Sequence, residues 1–79
     1  MNTVPLGSLA AGRRAHVAGF VQEDAFAQRL MQLGLIEGAG VEILRCAPSG
    51  DPIEISVMGY ALSLRRAEAN LILVTPEPT

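Results

Sequence analysis

Apolar and polar residues alternate in short runs along most of this chain, and one stretch keeps helical spacing instead. From Arg14 to Val21, Ala15, Val17, Gly19 and Val21 fall on one side and His16, Ala18 and Phe20 on the other. That period of two predicts a strand, with Gly19 as a bend or close backbone approach. Between Glu23 and Leu33 the period lengthens. Phe26, Leu30 and Leu33 stand at i, i+4 and i+7, which predicts a three-turn helix with one apolar stripe. Asp24 suits its N-terminal cap, Gly34 its left-handed stop, and Leu35 the apolar contact that seals such a stop.

Alternation resumes after Gly40. Val41, Ile43 and Arg45 share one face and Glu42, Leu44 and Cys46 the other; Ala47 to Pro52 interrupts with two prolines, a glycine, a serine and an aspartate, a loop composition. Ile53, Ile55 and Val57 then line one side of a third strand, and Gly59 permits a reversal into a fourth, Tyr60 to Leu64. Arg65 to Ala69 reads as one helical turn, Leu71 to Val74 as a closing strand, and Pro76 to Thr79 as a frayed tail. At the start of the chain, Leu6 and Leu9 lie three apart, which suits a single docked turn ended by Gly12.

Five short strands with one helix have few packing solutions in 79 residues. A flat sheet would leave long edges and a bare apolar face, and curling removes most of that edge. The expected class is all-β with one inserted helix, folded as a small half-open SH3-like barrel of about five strands. One domain over residues 1–79 is expected, with a core over about 5–75 and a tail at 76–79. Hydrophobic residues make up 49% and aromatics 4%, so the core must be aliphatic.

A net charge of −2 argues against a nucleic-acid partner, which needs a positive footprint. Cys46 is the sole cysteine, which excludes an internal disulfide and points to a reducing cytosol. Met1 to Pro5 has no basic region leading into an apolar run, so no signal peptide is expected. No segment approaches the roughly 20 apolar residues of a membrane span. A cytoplasmic location without direct membrane insertion is the expectation.

Candidate chemistry is sparse. His16 and Cys46 are the soft metal-ligand types present, on different strands, with no short-spaced ligand motif around them. A stable transition-metal site wants three or four converging ligands. His16 therefore reads as an ordinary strand residue, Cys46 as a small buried hydrophobe, and no metal or cofactor is expected. One histidine gives one candidate base, and nothing directs it at Ser49, Ser56 or Ser63; no catalytic residues and no enzymatic role are expected. Glu23 and Asp24 suit the helix dipole. Gly34, Gly38 and Gly40 follow a helix and precede a strand, the reverse of a phosphate cradle. Arg13-Arg14 and Arg65-Arg66 are either solvated ends of elements or contacts for acidic groups on a partner.

Four pieces in order, Leu6-x-x-Leu9, Leu33-Gly34-Leu35, Ala47-Pro48-Ser49-Gly50-Asp51-Pro52 and Leu62-Ser63-Leu64-Arg65, resemble the FeoA family, small cytoplasmic companions of the ferrous-iron transporter FeoB. The same module is similar to the C-terminal domain of DtxR-type iron-dependent repressors. The resemblance runs from Leu6 to Val74. It implies a non-enzymatic accessory protein that binds the cytosolic region of FeoB and modulates iron uptake. The alternative it leaves is a small metal- or ligand-responsive regulatory domain acting on a DtxR-type regulator or another protein.

For such a partner, the helix and the proline-rich loop are the candidate surfaces. Met31 lies about 100° from Leu30 around the helix axis, at the edge of the stripe or outside it, with Arg29 and Gln32 on its rim. The candidate partner-binding residues are Arg29, Leu30, Met31, Gln32, Pro48 and Asp51, against the plainer readings of core-edge packing for Met31 and a simple connector for the loop. Edge strands of an unclosed barrel also leave room for a homo-oligomer.

Overall fold

The computed structural model describes residues 2–78. Nine elements follow one another: β1 (Val4–Pro5), a 3-10 turn (Leu6–Ser8), β2 (Arg14–Phe20), α1 (Ala25–Gln32), β3 (Gly40–Cys46), β4 (Ile53–Val57), β5 (Tyr60–Leu64), α2 (Arg66–Ala69) and β6 (Ile72–Pro76). The class is as expected, all-β with an inserted helix, but six strands form the sheet. Their order is β1-β6-β2-β3-β4-β5, and every neighbouring pair is antiparallel.

The sheet curls without closing. Leu64 of β5 and Val74 of β6 belong to one core cluster, although four strand spacings, about 19 Å, would separate them in a flat sheet. Inside lie Leu6, Leu35, Ile43, Ile53, Ile55, Ile72, Val57 and Val74, each under 2% exposed. This is the aliphatic interior the composition demanded, a half-open barrel packed with Ile, Leu and Val.

Two bulges redirect the alternation. Between β2 and β6 the register slips between Val17 and Gly19. Ala15 and Val17 point inward before the slip; after it Phe20 packs on the core and Val21 is exposed. The expectation that Val21 shares the Val17 face is therefore corrected, because one extra residue reverses the side that follows. Between β3 and β4 the register slips again between Ile43 and Arg45. Arg45 turns outward and its Nε donates to Glu54 Oε1 at 3.0 Å, while Cys46 becomes the half-buried residue against the core.

Helix α1 is shorter than the predicted Glu23–Leu33. Asp24 caps it, its Oδ1 accepting from Ala27 N–H at 2.9 Å. At the other end, Leu35 N–H reaches Leu30 O at 3.1 Å and Gly34 N–H reaches Met31 O at 3.0 Å. This pair of bonds is a Schellman stop. Gly34 sits at φ +108, where only glycine is relaxed, and Leu35 seals against Leu30 in the core. The buried stripe is Ala27 and Leu30 with Leu35, not the predicted Phe26, Leu30 and Leu33: Phe26 is half-buried and Leu33 is 38% exposed.

The chain ends are also held more firmly than the sequence suggested. Val4 and Pro5 pair with Val74 and Leu73 as a strand. Pro76 pairs with Ala15 and Glu77 N–H donates to Arg14 O at 2.9 Å, so the predicted frayed tail is tied down through Glu77.

Candidate functional site

The C-terminus of α1 faces the hairpin between β4 and β5, and apolar side chains gather there in the open. Met58 and Gly59 form the two-residue turn of that hairpin, both at positive φ, +52 and +84, the signature of a type I′ turn. The turn brings Met58 over Gly34, where an added Cβ would lie 2.5 Å from Met58 Cγ. Tyr60, just past the turn, donates its hydroxyl to the Leu33 carbonyl, one of the helix-end acceptors. Met58 is 68% exposed, Tyr60 41% and Leu33 38%.

Around the same helix end, the half-buried Met31 and the exposed Ile36 line a hollow of about 270 Å³ together with Phe20, Glu23 and Glu37. Neither carboxylate has an ion-pair partner among the described residues. Exposed apolar groups thus come from α1, the hairpin tip and the segment after Gly34.

The six candidate contact residues separate. Arg29 and Gln32 are exposed on α1, Met31 is half-buried at its edge, and Pro48 is exposed in the loop. Leu30 is 2% exposed in the core cluster; it is corrected to a packing residue, since a side chain that seals the Schellman stop offers nothing to a partner. Asp51 is occupied by the fold too. Its Oδ1 accepts from Arg66 N–H at 3.0 Å, satisfying the first free N–H of α2 from across the molecule.

The loop that carries Pro48 is fastened from within and from outside. Gly50 N–H donates to Ala47 O at 2.7 Å, Ala47 N–H to Pro52 O at 3.0 Å and Ser49 Oγ to Asp51 O at 3.0 Å. Arg66 adds Nε to Gly50 O at 2.8 Å and Nη1 to the Gly7 carbonyl. Arg66 is thus a clamp joining the loop, α2 and the N-terminal turn. Arg14 stands 3.6 Å from Glu42.

His16 and Cys46 stay apart. His16 pairs with Gly40 at the start of β3, whereas Cys46 ends that strand, about 20 Å along it. The His16 Nε2 lies 3.6 Å from Glu77 Oε2 on the surface. Among the described residues no three His, Cys, Asp or Glu side chains converge as a metal site, and no helix is long and apolar enough to cross a membrane.

Sequence reasoning missed Met58, Tyr60 and Ile36. Met58 did carry a signal: type I′ turns select Asn, Asp and Gly, and a methionine before Gly59 breaks that preference in favour of an exposed apolar tip.

Comparison with known proteins places this arrangement. The FeoA domain family model matches residues 4–76. A fusion of Fe(2+) transport protein A with the Fe(2+) transporter FeoB from Porphyromonas gingivalis is 32% identical over 69 residues, 87% of this chain; the chain spans only 8% of that relative's length. The solution structure of a FeoA-like protein from Clostridium acetobutylicum is 33% identical, superposes with a TM-score of 0.91, and is matched over 100% of this chain and 92% of its own. The zinc-complexed FeoA of Stenotrophomonas maltophilia, a prokaryotic SH3 domain protein, is 28% identical with a TM-score of 0.81, covering 98% and 96% of the two chains. A likeness of fold alone extends to the IdeR of T. acidophilum, 24% identical over 35% of that chain, TM-score 0.82. With its family model matched over 73 of 79 residues and the open SH3-like barrel in common, this chain belongs to the FeoA family.

Proposed function

We propose that this protein is a non-enzymatic, single-domain cytosolic accessory of ferrous-iron uptake that docks on the cytosolic region of a FeoB-type transporter and modulates it. The observation that carries this reading is the Porphyromonas gingivalis relative, in which a domain like this one and the transporter share one polypeptide. Fusion of the two in one relative supports a role at the transporter's surface.

The surface around the end of α1 supports the reading. Leu33, Ile36, Met58 and Tyr60 are four of the seven large exposed hydrophobics among the described residues, the others being Val21, Leu44 and Leu71. Such patches mark contact sites, and methionine adapts its shape to a partner. Met31 contributes its edge, and Arg29 and Gln32 form a polar rim. The exposure of Pro48 in a pinned loop supports it as a second contact, one that would lose little freedom on docking. Nucleic acid is a poor fit, since the net charge is −2 and Arg14 and Arg45 already pair with carboxylates.

Co-purification tests it. The tagged protein should retrieve the FeoB-type transporter of its own organism from solubilised membranes. Failure to retrieve it from iron-starved cells that contain both proteins would overturn the reading.

A further inference from the structure

The sheet has two edges, β1 and β5, and they are guarded very differently. β1 is two residues long and includes Pro5, which blunts it. β5, Tyr60-Ala61-Leu62-Ser63-Leu64, has five residues with no charge and no proline, and it pairs with β4 in unbroken register. It carries none of the devices that protect an edge from another strand.

The hairpin geometry says which backbone groups are free. Val57 and Tyr60 flank a two-residue turn, so they exchange both hydrogen bonds, and bonded pairs alternate from there. Val57 with Tyr60, Ile55 with Leu62 and Ile53 with Leu64 are therefore the bonded pairs. The N–H and C=O groups of Ala61 and Ser63 point away from β4. Neither residue has another backbone or side-chain bond, and both are exposed.

We propose that β5 pairs antiparallel with β5 of a second copy of this chain, about a two-fold axis at Leu62. In that register Ala61 faces Ser63 of the second copy and Ser63 its Ala61, so all four outward groups of each strand are satisfied in four hydrogen bonds. Leu62 meets its counterpart, and Tyr60 meets Leu64. The strand is suited to itself because nothing in it repels a copy: the nearest charge, Arg65, falls opposite Gly59. The small side chains of Ala61 and Ser63 leave the outer face clear.

A contact of one strand pair buries less than the roughly 1,200 Å² of a stable interface, so it is weak and populated only toward ~1 mM protein. It acts where copies are already held together, since tethering two modules by short linkers gives about millimolar effective concentration. The pairing itself does not depend on which partner holds them.

Two experiments on the intact protein test the proposal. Between about 20 μM and 1 mM, the Ala61 and Ser63 amide resonances should shift with concentration while sedimentation shows a monomer–dimer equilibrium. Ser63→Pro removes an outward N–H without touching the β4 ladder, and should stay monomeric with an unchanged circular dichroism spectrum. As a register test that does not rely on proline, Ala61→Glu and Ser63→Lys, the latter placed beside Glu54 of its own β4, should each dimerise about threefold more weakly alone. They should recover when mixed, because the introduced ammonium of one variant then faces the introduced carboxylate of the other. Concentration-independent Ala61 and Ser63 amides, a folded Ser63→Pro that still dimerises, or no recovery on mixing would each overturn it.

Discussion

Arg66 makes three attachments at once. Its own N–H is capped by Asp51, its Nε holds the Gly50 carbonyl and its Nη1 the Gly7 carbonyl. The planar guanidinium reaches two carbonyls because its donors are fixed in a fork; an ammonium is a point donor on a flexible stem. Hydrogen bonds from a charged donor contribute about 1.5–3 kcal/mol each where removal leaves buried acceptors. Arg66 is only half-buried, so water recovers part of that loss. Arg66→Ala should cost about 2 kcal/mol in urea unfolding, and Arg66→Lys should restore less than half of it. Gly34 poses a different residue-scale constraint. Its φ of +108 opposes any side chain, and an added Cβ also meets Met58. Gly34→Ala should cost about 1–2 kcal/mol from the backbone alone. Pairing it with Met58→Ala separates the two causes: the double variant should recover only the steric part, which is small because Met58 is flexible.

At the scale of elements, α1 depends on its ends, because eight residues, little more than two turns, do not hold without packing. Asp24→Ala should cost about 1 kcal/mol, read as a lower thermal midpoint and faster amide exchange in the first turn. The caps were legible in the sequence because each is a local chemical event: an aspartate three residues before its acceptor's partner, a glycine at a left-handed position, a leucine beyond it. The strands were legible only as far as their pleat stayed regular. Ile53, Ile55 and Val57 were read correctly because β4 has no slip against β5. Val21 and Arg45 were misplaced because β2 and β3 each bulge, and a bulge leaves no mark in the alternation before it. Leu33 was misread for a related reason. The Schellman stop turns the chain so that Leu35, not Leu33, enters the core. The clamp by Arg66 was invisible, since it joins residues 16 and 59 positions apart and no local pattern encodes it. The proposed contact surface was half legible: the helix named Arg29, Met31 and Gln32, but Met58 and Tyr60 arrive only when the hairpin folds against the helix end.

For the molecule as a whole, that hairpin tip sets stability against function. A type I′ turn requires positive φ at both central residues, and Asn-Gly is its preferred pair. Met58 holds φ +52 with an unbranched apolar side chain that is 68% exposed. It therefore stabilises neither the turn nor the core, and the proposed binding role accounts for the strain at this position. Met58→Asn makes the two effects move in opposite directions. The turn gains its favoured residue, so the variant should be more stable by about 0.5–1 kcal/mol, a midpoint rise of a few degrees for a domain of this size. The exposed patch loses its most prominent apolar group, so affinity for the FeoB-type partner should fall about tenfold, or 1.4 kcal/mol. Thermal unfolding and a binding titration on the same preparation read both. A variant that is stabilised yet binds undiminished would remove Met58 from the contact surface, and one that loses stability would show that Met58 packs on Gly34 for the sake of the fold.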